Sequence, residues 1–383
     1  MNSLRTHLEH VAPNYFNHAG CSVITERTLR AVVEQLELEA RVGSFSAEKF
    51  AAPDKDTLYE LAAKTIGASP SSITLTDSHT TGWEKAFQLL DIQSGDVLLT
   101  TRSEWGGNYK SMHHRAQQVG ARVEVVESDR RGAVDLEKLP RLLRPKVKLI
   151  SVTWLGSNGG HLEPAQAIGA LARSHGVPYF LDASQVVGQM PVDVGALGCD
   201  VLSTPGRKWL RGPKGTGFTY FRPDFLIKLQ ETGALEALLE QAESPTPKHF
   251  EAPSTSCPLH MGLKSALEQL EEAGIENVQR QILVNINHLR DGLQTIPKVM
   301  LLNSDAPEHG LLSFTVQGFR ASEIQAQLLA MGLEVSANQA TFTPLDMQAR
   351  NMDAVVRVSP HSTTTLEARD ALVLTLHELC NRA

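Results

Sequence analysis

The sequence predicts an α/β protein, with a mostly parallel sheet in a large domain followed by a smaller α+β C-terminal domain. Three observations predict it. At 383 residues the chain is long for one simple domain and suits a large domain plus a small one. From about Leu58 to Tyr220, short apolar runs alternate with helical patterns. The Pro- and Ser-rich stretch "ESPTPKHFEAPSTSCP" then interrupts that alternation, as a boundary does. The expected divisions are an N-terminal arm over residues 1–20, the large domain over 21–245 and the small domain over 246–383.

Each element follows from local pattern. "DVLLTT", "RVEVVE", "VKLISVTWL", "VPYFLDAS" and "CDVLSTP" read as strands, most of them unbroken apolar runs of the kind covered on both faces. "PAQAIGALARSHG" has helical spacing, with Gly176 as its stop. Strands joined by helical crossovers imply a parallel sheet with helices on both faces. Beyond the boundary come a helix over about Leu259 to Glu272, a second in "IENVQRQILVNINHLRDGLQTI", strands "VMLLN", "LLSFTVQ" and "VVRVSPH", and a final helix from Leu366.

Composition narrows the function classes. A hydrophobic content of 42% with 21% charged residues is that of an ordinary soluble globular protein. No apolar run approaches the roughly 20 residues that span a bilayer. "MNSLRTHLEHVAPNYFNHAG" has His and Glu where a signal peptide needs its apolar core, so a cytoplasmic location is expected. With 36 basic against 43 acidic residues, nucleic-acid binding is not expected. Cys21, Cys199, Cys257 and Cys380 are far apart and form no CxxC pair, so they read as free thiols. The 14 histidines are scattered, and no metal site is expected.

Ligands of parallel sheets gather at the carboxyl ends of the strands. There the sequence places Asn158 after "VTWL", Asp182 and Gln185 after "YFL", and Arg207 and Lys208 after "DVLST". "GRKWLRGPKG" packs four cations, Arg207, Lys208, Arg211 and Lys214, into eight residues. Arginine stays protonated at any working pH, so Arg207 and Arg211 bind anions but form no imine. A desolvated lysine beside another cation loses its proton and attacks carbonyls. Lys208, between Arg207 and Trp209, suits that chemistry, whereas Lys214 in its Gly-rich turn faces solvent. A lysine in a basic loop is usually a solvated charge, and an Asp at a strand end is often an N-cap. The pair is more specific: a buried Asp182 needs a cationic partner, and the ring nitrogen of pyridoxal phosphate would be one.

"VPYFLDASQVVGQMPVDVGALGCDVLSTPGRKWLRGPKGTGF" resembles the signature of the class V aminotransferase superfamily. These are fold-type I pyridoxal-phosphate (PLP)-dependent enzymes that include cysteine desulfurases, isopenicillin-epimerase-like proteins and C–S lyases. The resemblance runs from "FNHAGCS" to "VVRVSPH". It implies a fold-type I transferase fold and a pyridoxal 5'-phosphate Schiff base on Lys208. Asp182 is then the partner of the ring nitrogen and Gln185 that of the ring hydroxyl region. "SEWGGNY" makes Trp105 the residue that stacks on the ring, an offset packing of two π-systems. "TDSHTTGWEKAFQLL" resembles the turn that holds the phosphate, with Ser78, His79 and Thr80 at a helix start; simple N-capping is the other reading there. Arg207 matches a phosphate contact and Asn158 a position near the cofactor.

"VVRVSPH" resembles the motif whose arginine, here Arg357, clamps the substrate α-carboxylate through two parallel bonds. "FEAPSTS" resembles the segment that reaches the neighbouring subunit's phosphate. It makes Ser254 and Thr255 candidates and implies a homodimer with shared active sites; a surface turn is the alternative. The segment near His18 and the "NQATFTPLDMQARN" loop are expected to wall the pocket for an amino-acid substrate.

Three departures bear on function. Desulfurases of this superfamily use a cysteine ahead of the clamping arginine, and none occurs here between Pro258 and Arg357. Pro205 stands where a hydroxyl residue is usual, and "HSTTT" replaces the "HYYNT" of many epimerase-like members. "RTLRAVVEQLELEARVGSFSAEKF" and "GRKWLRGPKGTG" look most similar to the hercynylcysteine sulfoxide lyase branch. The expected activity is a C–S β-lyase that cleaves a cysteine S-conjugate or its sulfoxide to a thiol or sulfenate, pyruvate and ammonia. An aminotransferase or amino-acid epimerase is the alternative, and a non-catalytic binding role a third.

Overall fold

The computed structural model describes residues 14–231, 235, 246–302 and 307–382. Most of the expected arm, residues 1–13, and the start of the Pro/Ser-rich stretch lie outside the described residues. Seven strands form the main sheet: β1 (Ile73–Thr76), β2 (Val97–Thr100), β3 (Arg122–Val125), β4 (Val147–Thr153), β5 (Tyr179–Asp182), β6 (Val201–Pro205) and β7 (Gly217–Phe221). Their order is β1-β7-β6-β5-β4-β2-β3. The run from β3 to β6 is parallel, and β7 lies antiparallel between β6 and β1. All five strands read from the sequence are present. β1 and β7 were not read as strands, since each is short and β7 follows a Gly-rich turn.

The apolar runs are explained by packing on both faces. Leu181 and Leu202 enter one core with helices Ala52–Thr65 and Cys257–Ala273. Their neighbours Phe180 and Val201 point to the other core, with Trp83, Phe87 and Met112. Successive side chains of a strand alternate faces, so a strand buried on both sides must be apolar throughout. Helix Cys257–Ala273 lies beyond the Pro/Ser-rich stretch in sequence, yet Leu263 and Leu267 join the core of the main sheet. The expected helix Ala165–Ser174 ends at His175, followed by Gly176 at φ +67°.

A second, antiparallel sheet has the order β10-β11-β9-β8, from β8 (Val299–Leu301), β9 (Leu312–Val316), β10 (Ser336–Gln339) and β11 (Ala354–Val358). Helices Ile275–Gln294 and Leu366–Arg382 cover it through Ile286, Leu289, Leu372 and Leu376. Phe16 of the N-terminal segment enters the same core, held by Phe16 N–H to the Glu334 carbonyl at 2.8 Å and Ser359 N–H to the Phe16 carbonyl at 2.7 Å. That segment also reaches the main sheet, where Ser22 N–H donates to the Arg207 carbonyl at 2.7 Å.

Gly82 lets helix His79–Gln88 lie against the sheet, because an added Cβ would collide with Thr219 Oγ1 and meet Ser203 Oγ at 3.0 Å. Gly82→Ala is therefore expected to destabilise the fold by about 1–3 kcal/mol, the usual range for overpacking. Urea unfolding checks it, and an unchanged midpoint would contradict the packing.

Candidate active site

A small cleft opens at the carboxyl ends of β4, β5 and β6. Among its walls are Ser78, His79 and Thr80 from one helix start, and Trp105 from the loop after β2. Asp182 and Gln185 follow β5, and Arg207 and Lys208 follow β6. Eight sequence-predicted residues thus meet in one place. Register explains part of this, since Thr153 pairs with Asp182 and Asp182 with Ser203 across neighbouring parallel strands.

Lys208 is half-buried and its ammonium pKa is lowered to about 7. Burial is the largest cause, and Arg207 and Arg357 add repulsion against the attraction of Asp182. A free amine near neutral pH is what carbonyl capture requires. Lys214 is exposed, as its turn predicts.

Asp182 is buried, with Oδ1 accepting the Ser184 N–H at 2.8 Å. Its Oδ2 lies 3.2 Å from His79 Nε2. The contact joins two residues 103 positions apart and was not foreseen from the sequence.

Ser78 caps its helix by accepting the Thr81 N–H at 3.1 Å, so its hydroxyl serves the capping role that the sequence left open. The next amides at the helix start have no intrahelical acceptor. With Arg207 they make a cationic end to the cleft. Gln185 lines the cleft, but its amide is tied on both sides: Oε1 accepts the Trp209 indole N–H at 3.0 Å, and Nε2 donates to the Ala19 carbonyl at 3.1 Å.

The remaining candidates lie outside the cleft's lining. Arg357 is buried, donating from Nη1 to the Ser157 carbonyl at 2.7 Å and from Nη2 to Asn17 Oδ1 at 3.1 Å. Ser157 itself lines the cleft. Burial lowers the guanidinium pKa to about 10, its Nε has no partner, and no carboxylate among the described residues pairs with it. Asn158 is buried with its amide engaged by the second sheet, donating to the Gln339 carbonyl at 3.1 Å and accepting from Asn338 at 3.0 Å. His18 bonds Ser22 Oγ at 2.9 Å and lies 5.1 Å from the His361 ring; burial, then His361, keeps its pKa well below the ordinary value. Ser254 is exposed and Thr255 half-buried, on the loop ahead of helix Cys257–Ala273.

Thr153, Leu155, Ser157 and Ser184 also line the cleft and were not singled out from the sequence. Their positions just at or after the apolar runs of β4 and β5 were the available signal. Glu104 is fully buried in the loop that carries Trp105, with its pKa raised by burial against hydrogen bonds from Thr153, Thr100 and Asn108. Among the described residues no group of three His, Cys, Asp or Glu could hold a metal ion, and no helix is long and apolar enough to cross a membrane.

The donor set fits pyridoxal phosphate: a low-pKa lysine, a buried carboxylate for the ring nitrogen, and a cationic helix start for the phosphate. Comparison with known proteins agrees. A "Probable cysteine desulfurase" of Xylella fastidiosa (strain 9a5c) is 29% identical over 274 residues, which cover 70% of this chain and 65%, just under two thirds, of the relative. A "Cysteine desulfurase" of Pectobacterium atrosepticum is 29% identical over 295 residues, covering 75% and 72%. The apo cysteine desulfurase of Thermococcus onnurineus superposes with a TM-score of 0.85 at 22% identity, over 96% of this chain and 95% of that one, a likeness of fold. A cystine C–S lyase in complex with its product cysteine persulfide gives 0.84 at 25% identity, over 97% and 99%. The aminotransferase class-V model matches residues 14–372, the span that carries both sheets and every residue of the cleft, and the chain belongs to that family.

Proposed function

We propose that this chain is a cytoplasmic pyridoxal-phosphate-dependent C–S β-lyase that cleaves a cysteine S-conjugate or its sulfoxide. The observation that carries the reading is an amine titrating near 7, Lys208, in one cleft with Asp182, beside a buried Arg357 that has no acidic partner among the described residues. A buried guanidinium without a carboxylate is costly unless a ligand supplies one, and an amino acid does.

When bound, pyridoxal phosphate supplies the electron sink for charge left at the substrate α-carbon. Arg357 holds the substrate carboxylate, and Lys208 takes the α-proton, its tether keeping the amine within reach. Asp182 keeps a proton at the ring nitrogen, Trp105 packs on the ring, and Arg207 with the helix start at Ser78, His79 and Thr80 holds the phosphate. In the net reaction the conjugate and one water give thiol, pyruvate and ammonia; a sulfoxide gives the sulfenate instead. A sulfur leaving group needs little acid assistance, which matches a cleft whose one carboxylate, Asp182, is engaged elsewhere.

The cysteines support a lyase over persulfide-forming desulfuration. Cys199, Cys257 and Cys380 are buried, and the span from Pro258 to Arg357 has none. Replacing Cys257 and Cys380 by alanine is expected to leave turnover within about twofold, the effect of substitutions away from the chemistry. Ser254 and Thr255, which do not line their own cleft, suit a homodimer in which they serve the second copy; sedimentation at micromolar concentration tests it.

The deciding assay is pyruvate release by the cofactor-loaded protein from a panel of L-cysteine S-conjugates and sulfoxides with no keto acid present. Release from one conjugate supports elimination. A spectral change on adding amino acids without pyruvate would instead favour transamination or epimerisation by the same residues.

A further inference from the structure

Beneath the cleft, buried donors and acceptors link Glu104, Asn108, His79 and Asp182. Glu104 Oε1 accepts the Trp105 backbone N–H at 3.0 Å, and a backbone amide can only donate. The Asn108 end that faces this oxygen at 3.0 Å is therefore its NH2 group, and Asn108 turns its carbonyl oxygen to His79 Nε2 at 3.3 Å. His79 Nε2 then faces two acceptors, Asn108 Oδ1 and Asp182 Oδ2, the latter at 3.2 Å. It must carry a hydrogen.

Among the described residues the other group near Asp182 Oδ2 is the Thr153 hydroxyl, at 3.5 Å. That hydroxyl accepts the Trp105 N–H at 2.9 Å, and its single hydrogen goes to Glu104 at 2.6 Å. The Nε2–H of His79 bonds Asn108 Oδ1, and the same edge of the ring lies 3.2 Å from the second oxygen of Asp182 as a close polar contact. All four members, Glu104, Asn108, His79 and Asp182, are buried, where a hydrogen bond left unmade is expensive.

We infer that Glu104, acting through Asn108, fixes the ring of His79 so that its Nε2–H edge lies against the Asp182 carboxylate, making His79 a positioning residue for the cofactor's ring nitrogen. A neutral imidazole suffices. The inference rests on the assignment of Asp182 to that nitrogen.

Two measurements test it. In cofactor-free protein, nitrogen NMR of His79 is expected to show the Nε2–H tautomer; an Nδ1–H tautomer would overturn the relay. Equilibrium cofactor affinity is the second. His79→Phe and Asn108→Leu are each expected to weaken pyridoxal phosphate binding about tenfold, the equivalent of one buried hydrogen bond. His79→Gln, which keeps an N–H near the Nε2 position, should recover most of that loss. The double variant His79→Phe with Asn108→Leu should be no weaker than His79→Phe alone, because both remove the same contact. Additive losses, or wild-type affinity in His79→Phe, would overturn the inference. Asp182→Asn separates the premise: unchanged affinity there would remove the assignment of Asp182, whereas a loss there with none in His79→Phe would remove only the relay. If His79→Phe does not fold, the tautomer and the Asn108→Leu and His79→Gln pair still decide.

Discussion

Lys208→Ala is expected to lower turnover by about two to four orders of magnitude, the range that a positioned acid–base group contributes. The same variant should lose the visible absorbance of a covalently held cofactor. Lys208 has no substitute, because Arg207 beside it cannot give up its proton and no second lysine lines the cleft. Lys208→Arg should be equally inactive for the same reason, although it keeps the charge. The lowered pKa adds a pH dependence with a defined sign. An amine that titrates near 7 is protonated and unreactive below that pH and free above it. The rate at which cofactor-free protein captures pyridoxal phosphate should therefore rise from pH 6 to 8. An ordinary exposed lysine, with its pKa near about 10.4, would show its rise far higher. Stopped-flow absorbance distinguishes the two, and a flat profile through pH 7 would contradict the described environment.

Arg357→Ala is expected to reduce kcat/KM by about a hundredfold or more, through loss of a charge-assisted pair of hydrogen bonds to the substrate carboxylate. Arg357→Lys should recover little, because an ammonium does not match a carboxylate through two parallel bonds. A purely structural arginine would behave differently. Its removal would cost thermal stability and leave the kinetics of the surviving protein alone. Here the guanidinium is buried without an acid, held by the Ser157 carbonyl and Asn17, with Nε unpartnered. Its burial is a burden on the ligand-free fold, so the melting temperature of cofactor-free Arg357→Ala should stay close to that of the parent. Calorimetry beside steady-state kinetics separates the two roles.

Much of this site was legible in the sequence, because strand ends are legible. An apolar run that stops at a charged residue marks where a buried strand surfaces, and Asp182 and Lys208 both stand at such stops. The resemblance to a known family then supplied roles that spacing alone could not. What stayed hidden depends on pairing between distant elements. β1 and β7 were missed because four or five residues beside glycine carry little pattern. The contact of His79 with Asp182 requires knowing that the helix after β1 begins against the end of β5. Glu104 and Asn108 look like solvated loop residues; their spacing of four, one turn of a helix, was the only hint that they face each other. Asn158 illustrates the opposite case. It lies near the cleft in sequence logic, but the strand β10, unread from the sequence, engages its amide.

The connection that carries Lys208 has a consequence for how the protein reaches its working form. β6 and β7 are sequence neighbours paired antiparallel, with Pro205 opposite Gly217, so the lysine rides on a local hairpin. Asp182 arrives on a parallel strand, and Ser157 of the cleft wall is held by Arg357 of the second sheet, 200 positions away. Local contacts form before distant ones, since loop closure over long separations is entropically slow. The reactive amine is thus expected to be placed early in folding, and the groups that desolvate it later. Until then, the nascent chain carries an ordinary, mostly protonated lysine that reacts more slowly with aldehydes than the finished site.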